Sequence, residues 1–150
     1  MVVSTRLAQA RDEEAVFALL PQLLDVPRAG REVFRLLLSS DRGAVIVAEE
    51  GTVLLGLISM SFNPAIRYGG NYAQIEELIV DEAARGKQAG AILVRAAIAE
   101  ARRRGCHEIG LYSREHTRAF YEKLGFVYSG PEVRLNHGDC HSGGHCVGRK

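Results

Sequence analysis

Apolar positions recur along this chain in two rhythms, and the switches between them predict its elements. Residues 2–7 read as a short β-branched strand. Residues 11–24 then place Ala15, Ala18, Leu19, Leu23 and Leu24 at helical spacing behind an acidic first turn, Asp12 to Glu14. Pro27 ends that helix, and 31–38 repeats the helical pattern with Val33, Phe34, Leu37 and Leu38 before Ser39, Ser40 and Asp41 break it. Two β-rich runs follow, 44–48 and 53–62, joined through Gly51 by a connection of hairpin length, so they are expected to pair antiparallel. After a turn-rich break around Tyr68 to Asn71, residues 72–80 form a third antiparallel strand. Residues 88–104 show helical spacing at Ile92, Leu93, Ala96, Ala97 and Ala101 and stop at Gly105. The remainder reads as strand 107–113, helix 115–124 closed by Gly125, and a last strand over 126–135. Strands 72–80 and 107–113 flank a helix, which predicts a parallel pair with a right-handed crossover.

The fold class expected from this order is α/β with a mixed sheet, mostly antiparallel, and helices on both faces. Residues 1–135 form one domain. The segment 136–150, rich in Gly, His and Cys and without periodicity, reads as a flexible tail. At 150 residues and 47% hydrophobic content the chain can bury a single core unaided by metals or disulfides. Its 19 Lys and Arg nearly balance 18 Asp and Glu, which argues against a nucleic-acid partner or an anionic membrane surface. No apolar run has the length of a membrane span, and the N-terminus lacks the pattern of a secretory leader. Three cysteines are too few for a disulfide framework, so a cytoplasmic location is expected.

Chemistry concentrates first in the turn between residues 80 and 91. It joins a strand to a long helix and carries Arg85, Gly86, Lys87, Gln88, Ala89, Gly90 and Ala91. Free N–H groups at a helix start carry partial positive charge, and glycines let a diphosphate come close to them. The same letters also suit an ordinary strand-to-helix loop with solvated basic residues. In context they resemble the phosphate-binding motif of the GNAT superfamily of acyl-CoA N-acyltransferases: a strand ending in valine, here Val80, then Arg or Gln followed by x-x-Gly-x-Gly or Ala. Gln88 stands where that motif has its first glycine. Downstream, Arg118 to Phe126, with Tyr121 and Leu124-Gly125-Phe126, resembles the second common motif of the family. The resemblance covers roughly residues 2–135.

The resemblance implies a GNAT-like fold in which the parallel pair splays apart, with acetyl-CoA as cosubstrate. The pantetheine arm would lie along the backbone of Leu78, Ile79 and Val80, with its diphosphate on residues 85–91 and an added contact from Arg114. It implies Tyr121 as the acid that protonates the departing thiolate. Read by itself, Tyr121 is more readily an aromatic packed beside Phe120 against the core, and it is the context of the motif that reverses this.

Glu76 and Glu77 interrupt the apolar run Ile75, Leu78, Ile79, Val80, and carboxylates in such a setting need a reason. Strict alternation puts Glu76 on the face of Leu78 and Val80, and Glu77 on the other. The stretch resembles the strand of polyamine-type acetyltransferases, which implies Glu76 as the base that deprotonates the amine and Glu77 as a substrate contact. The alternative is that one or both are exposed edge or interface carboxylates. The acceptor pocket is expected from the helices over 11–38 and the loop around Arg67 and Tyr68.

The activity so implied is acetyl transfer to a primary amine on a small molecule, such as a polyamine or an amino acid. Transfer to a protein or peptide, or a non-catalytic acyl-CoA-binding module, are the alternatives. A homodimer is implied by the resemblance alone. The residues His137, Cys140, His141, His145 and Cys146 match no zinc spacing, so no metal site is expected.

Overall fold

The computed structural model describes residues 2–130 together with Val133 and Leu135. Five strands lie side by side in sequence order. They are β1 (Val3–Leu7), β2 (Gly43–Glu50), β3 (Val53–Ala65), β4 (Gly70–Val80) and β5 (Ile109–Leu111). The first four pair antiparallel, and β4 pairs parallel with β5 through Ala73, Ile75 and Gln74 against Ile109 to Leu111. The mixed, mostly antiparallel sheet with one parallel pair is the one the sequence pattern predicts.

Helices α1 (Glu13–Leu19) and α2 (Gly30–Ser39) cover one face, packing Val16, Leu19, Leu20 and Phe34 onto Val45, Val47, Leu57 and Ile79. Helices α3 (Ala89–Arg103) and α4 (Arg118–Lys123) cover the other, where Leu93, Val94 and Ala97 meet Ile46, Ile58, Met60 and Ile75. Alternation along β3 separates the two cores, since Leu57 faces α1 and α2 while Ile58 and Met60 face α3.

The first helix is shorter than its periodicity suggests. Pro21 lacks an N–H, and the chain tightens at 20–22 into a single 3-10 turn rather than continuing to Leu24. Its buried stripe is Val16, Leu19 and Leu20, one residue out of phase with the expected Ala15, Ala18 and Leu19. Ion pairs from Arg31 to Glu13 and Glu14, and from Arg35 to Glu13, fasten α2 to α1. Residues 126–130 of the expected last strand form no strand, and the rest of it, Val133 and Leu135 apart, lies outside the described residues, as does the tail from 136 onward. No helix among the described residues is long and apolar enough to cross a membrane.

Candidate active site

Pairing between β4 and β5 stops at Ile75 and Leu111. Beyond that point β4 runs on to Val80 with no paired strand on its β5 side among the described residues. Every second residue of a strand turns its N–H and C=O the same way, so the stretch 76–80 presents backbone hydrogen-bonding groups to the gap. A cleft of about 350 Å³ opens there, lined by Gln74 to Leu78 on one wall and by Leu111, Tyr112, Arg114, Thr117 and Tyr121 on the other.

At the far end of β4 the turn 81–88 leads into α3. Asp81 receives the Ala83 N–H, and Ala84 and Ala89 pack on Leu55 to hold the turn to the sheet. Gln88 has φ 58° and ψ 21°, the one non-glycine residue with positive φ among the described residues. The backbone thus adopts at Gln88 the left-handed geometry that a glycine would adopt freely, at a cost of about 1 kcal/mol. The strained residue at the mouth of a helix leaves its side chain off the terminus, which has no side-chain cap. The first-turn N–H groups of Ala89, Gly90 and Ala91 therefore lack intrahelical acceptors and a capping oxygen. A side-chain carbon added at Gly90 would meet only Phe120 and Val80, at 3.5 Å or more, so the protein itself does not demand glycine there. The terminus thus fits a diphosphate. Lys87 binds Glu50 at 2.9 Å and Arg85 lies 4.0 Å from Glu82, so both basic side chains sit beside the turn on exchangeable surface pairs.

Tyr121 projects from α4 into the cleft, half-buried, and burial pushes its phenol pKa up, which keeps the proton on the oxygen. The Leu-Gly-Phe sequence explains its placement. Gly125 at φ 97° ends α4, with its N–H on the Glu122 carbonyl and the Phe126 N–H on the Tyr121 carbonyl. This is the double-bonded Schellman closure, and its usual apolar contact is the Phe126 ring, 5.6 Å from that of Tyr121 at 74°. The turn that stops the helix also fixes the tyrosine.

The acidic pair departs from strict alternation. Ser59 stands opposite Glu77 and Met60 opposite Ile75, so Glu76 is the extra residue of a β-bulge. Ser59 Oγ donates to Glu77 Oε1 and Ser61 Oγ to Glu76 Oε1, both at 2.9 Å. Two serines two residues apart share a face, so both carboxylates lie on the α1 and α2 face rather than on opposite ones. Glu76 is therefore not on the face of Leu78 and Val80, which pack toward α3. Glu76 is exposed and Glu77 half-buried. Burial raises the Glu77 pKa, the Ser59 hydroxyl holds it back, and the charge of Glu76 adds to the rise.

Among the other expected site residues, Leu78 and Arg114 line the cleft. The Ile79 side chain is buried in the α1 and α2 core and the Val80 side chain packs toward α3; neither residue lines the cleft, whose β4 wall ends at Leu78. Arg67 and Tyr68 line neither the cleft nor the hollow beneath α1 and α2; Arg67 stacks on Tyr68 and Tyr72, and Tyr68 on His107. That loop is a surface cluster at the opposite end of β4. Sequence reasoning missed Ser59 and Ser61, whose signal was two hydroxyls at alternate positions in an otherwise apolar strand.

Comparison with known proteins decides the family. The model of the acetyltransferase (GNAT) family matches residues 9–126. This chain belongs to that family. A probable glucosamine 6-phosphate N-acetyltransferase 2 of Oryza sativa subsp. japonica is 31% identical over 144 residues, covering 89% of this chain and 87% of the relative. A transcriptional regulator of Bacillus halodurans C-125 superposes with a TM-score of 0.79 at 30% identity, over 90% of this chain and 99% of the other. The glucosamine-6-phosphate N-acetyltransferase of Arabidopsis thaliana superposes with a TM-score of 0.80 at 24% identity, over 92% and 100%. The chain is an acetyltransferase acting on an amine, and its family uses acetyl-CoA as cosubstrate.

Proposed function

We propose that this acetyltransferase moves the acetyl group of acetyl-CoA directly onto the primary amine of a small molecule, in the cleft where β4 and β5 part. The observation that carries the reading is that one cleft is lined by both Glu77 and Tyr121, while the strand forming its wall leads through the turn 81–88 to the start of α3, which has no side-chain cap. Acetyl-CoA would supply an activated thioester, its diphosphate on the N–H groups of residues 86–91 and its arm along Leu78, Ile79 and Val80.

An amine reaches the site as an ammonium ion, which has no lone pair to attack with. A carboxylate must first take a proton. The sequence expectation gave this to Glu76 and substrate contact to Glu77. The raised pKa and deeper position of Glu77 favour the reverse assignment, with exposed Glu76 helping to hold the incoming cation. As nitrogen bonds to the carbonyl carbon, a backbone N–H of β4 would meet the charge growing on the oxygen. The carbon–sulfur bond then breaks, Tyr121 gives its proton to the sulfur, and the second proton leaving the nitrogen restores the phenol as the amide forms.

Thiol release from acetyl-CoA, followed across a panel of amines, amino acids and peptides, tests the reading. Tyr121→Phe should lower kcat by roughly a hundredfold while CoA affinity measured by calorimetry stays level. Glu77→Gln should erase the acid limb of the pH profile and Glu76→Gln should leave it. A full-speed Tyr121→Phe enzyme removes the acid, and a profile that follows Glu76 instead restores the original assignment. CoA binding without turnover on any amine or peptide would identify a binding module.

A further inference from the structure

A second cavity lies beneath α1, α2 and the segment joining them. It measures about 510 Å³ and is walled by side chains such as Phe17, Leu20, Val33, Phe34 and Leu57. Among the described residues its charged lining side chains are Asp25 and Glu77, and no lysine, arginine or histidine lines it. Arg31 and Arg35, the basic residues of α2, are directed to Glu13 and Glu14. Glu77 and Leu24 line both this hollow and the transfer cleft, so the two spaces meet at the carboxylate.

We infer that the hollow holds the body of the acceptor, and that the acceptor is a primary amine on an apolar alkyl or aryl-alkyl frame whose nitrogen comes to rest at Glu77. The inference rests on the reading of the cleft as the transfer site and adds the substrate class. The argument is one of complementarity. An amine arrives as a cation, and both charged groups on the lining are acids, of which Glu77 also lines the transfer cleft and Asp25 does not. Ser59, the other polar side chain on the lining, gives its hydroxyl proton to Glu77, and the remaining side chains of the wall are apolar, so an apolar body gains from burial while hydroxyl or phosphate groups would lose much of their water without replacement. A phosphorylated amino sugar, the compound in the names of the rice and Arabidopsis proteins, would bring two negative charges to a lining without a cation. A polyamine would bury further ammonium groups against phenylalanine and leucine. The volume falls within the range of pockets that enclose small ligands.

The experiment compares n-butylamine through n-octylamine and 2-phenylethylamine with spermidine and glucosamine 6-phosphate, by thiol release and by calorimetry in the presence of CoA. KM should fall roughly fourfold per added methylene until the hollow is full, then level. The apolar amines should lead the polar ones in kcat/KM by about tenfold or more. Val33 is 53% exposed at the rim, so Val33→Glu should fold; it should raise KM for hexylamine about tenfold and leave CoA affinity unchanged. Spermidine or the sugar phosphate serving as well as hexylamine, or a flat KM along the series, overturns the inference. Apolar amines that bind, and lose affinity in Val33→Glu, but are never acetylated would uphold the hollow and refute the transfer mechanism; amines that neither bind nor react would refute the hollow even with CoA bound tightly.

Discussion

Gly90→Ala separates the two roles a glycine in the first turn of α3 could serve. If glycine is there for folding, alanine should harm the protein. The structure says otherwise: a carbon at this position would lie 3.5 Å from Phe120 and 3.7 Å from Val80, ordinary contact distances. Alanine also restricts the unfolded chain, and in a helix this is worth about 0.5–1 kcal/mol. For a chain of this size each kcal/mol moves Tm by about 2–4 °C, so a rise of roughly 1–4 °C is expected. The same methyl group would stand among the first-turn N–H donors and hold a diphosphate away from them. Losing one hydrogen bond to a charged acceptor costs about 1.5–3 kcal/mol, or roughly 10–100-fold in affinity for CoA. Differential scanning fluorimetry and calorimetry with CoA read the two effects separately. Opposite signs cannot come from misfolding. A variant that is more stable and binds CoA as tightly as before refutes the placement of the diphosphate, and one that is less stable refutes the packing argument.

The Ser59 hydroxyl lowers the Glu77 pKa that burial raises, so Ser59→Ala should lift it further. Because the carboxylate must be ionised to take a proton, the acid limb of kcat/KM should move to higher pH; an unmoved limb refutes the coupling. The raised folded pKa also means that stability falls as pH rises from the unfolded value through it, a slope that Glu77→Gln should flatten in urea titrations at several pH values. Phe126→Ala removes the apolar half of the closure behind Tyr121 and should cut kcat several-fold with little change in CoA affinity, whereas Phe126→Leu should recover most of it. Asp12 is 7% exposed and takes two hydrogen bonds from Arg6, at 2.8 and 2.9 Å, so Asp12→Asn should cost about 3 kcal/mol. Arg6 also holds the Asp12 pKa down, so this stability is present at neutral pH and lost as pH falls through the folded value; a thermal shift under about 2 °C at pH 7 would refute it.

Elements defined by long periodic runs were legible in the sequence. The pairing of 44–48 with 53–62, the third strand to Val80 and the parallel return through α3 all follow from local pattern plus short connections. The first helix was legible in existence but not in extent. Pro21 sits inside a run whose apolar spacing continues to Leu24, and the missing N–H outweighed the pattern. Glycine spacing likewise marked the α3 turn, yet the departure at Gln88 spoke only to residue type. Its backbone holds the left-handed geometry regardless, because the strand before it and the helix after it fix where the chain must turn.

The acidic pair shows why a site is harder to read than the sheet that carries it. Side-chain direction along a strand has a period of two, so a single extra residue reverses every later direction. One bulge, opposite the step from Ser59 to Met60, does this within Glu76 and Glu77 themselves. No letter in Ile75 to Val80 announces it. The partner strand offers the only hint, since Ser59 and Ser61 supply two hydroxyls on one face where alternation would leave one carboxylate without a polar neighbour. The bulge brings both acids to the side where α1 and α2 leave their hollow, while Leu78 and Val80 return to the α3 core. A strand without the bulge would split the pair, sending one carboxylate into that apolar core at a cost of several kcal/mol. The irregularity therefore lets one strand carry a packed face, an open backbone edge and two converging carboxylates within six residues.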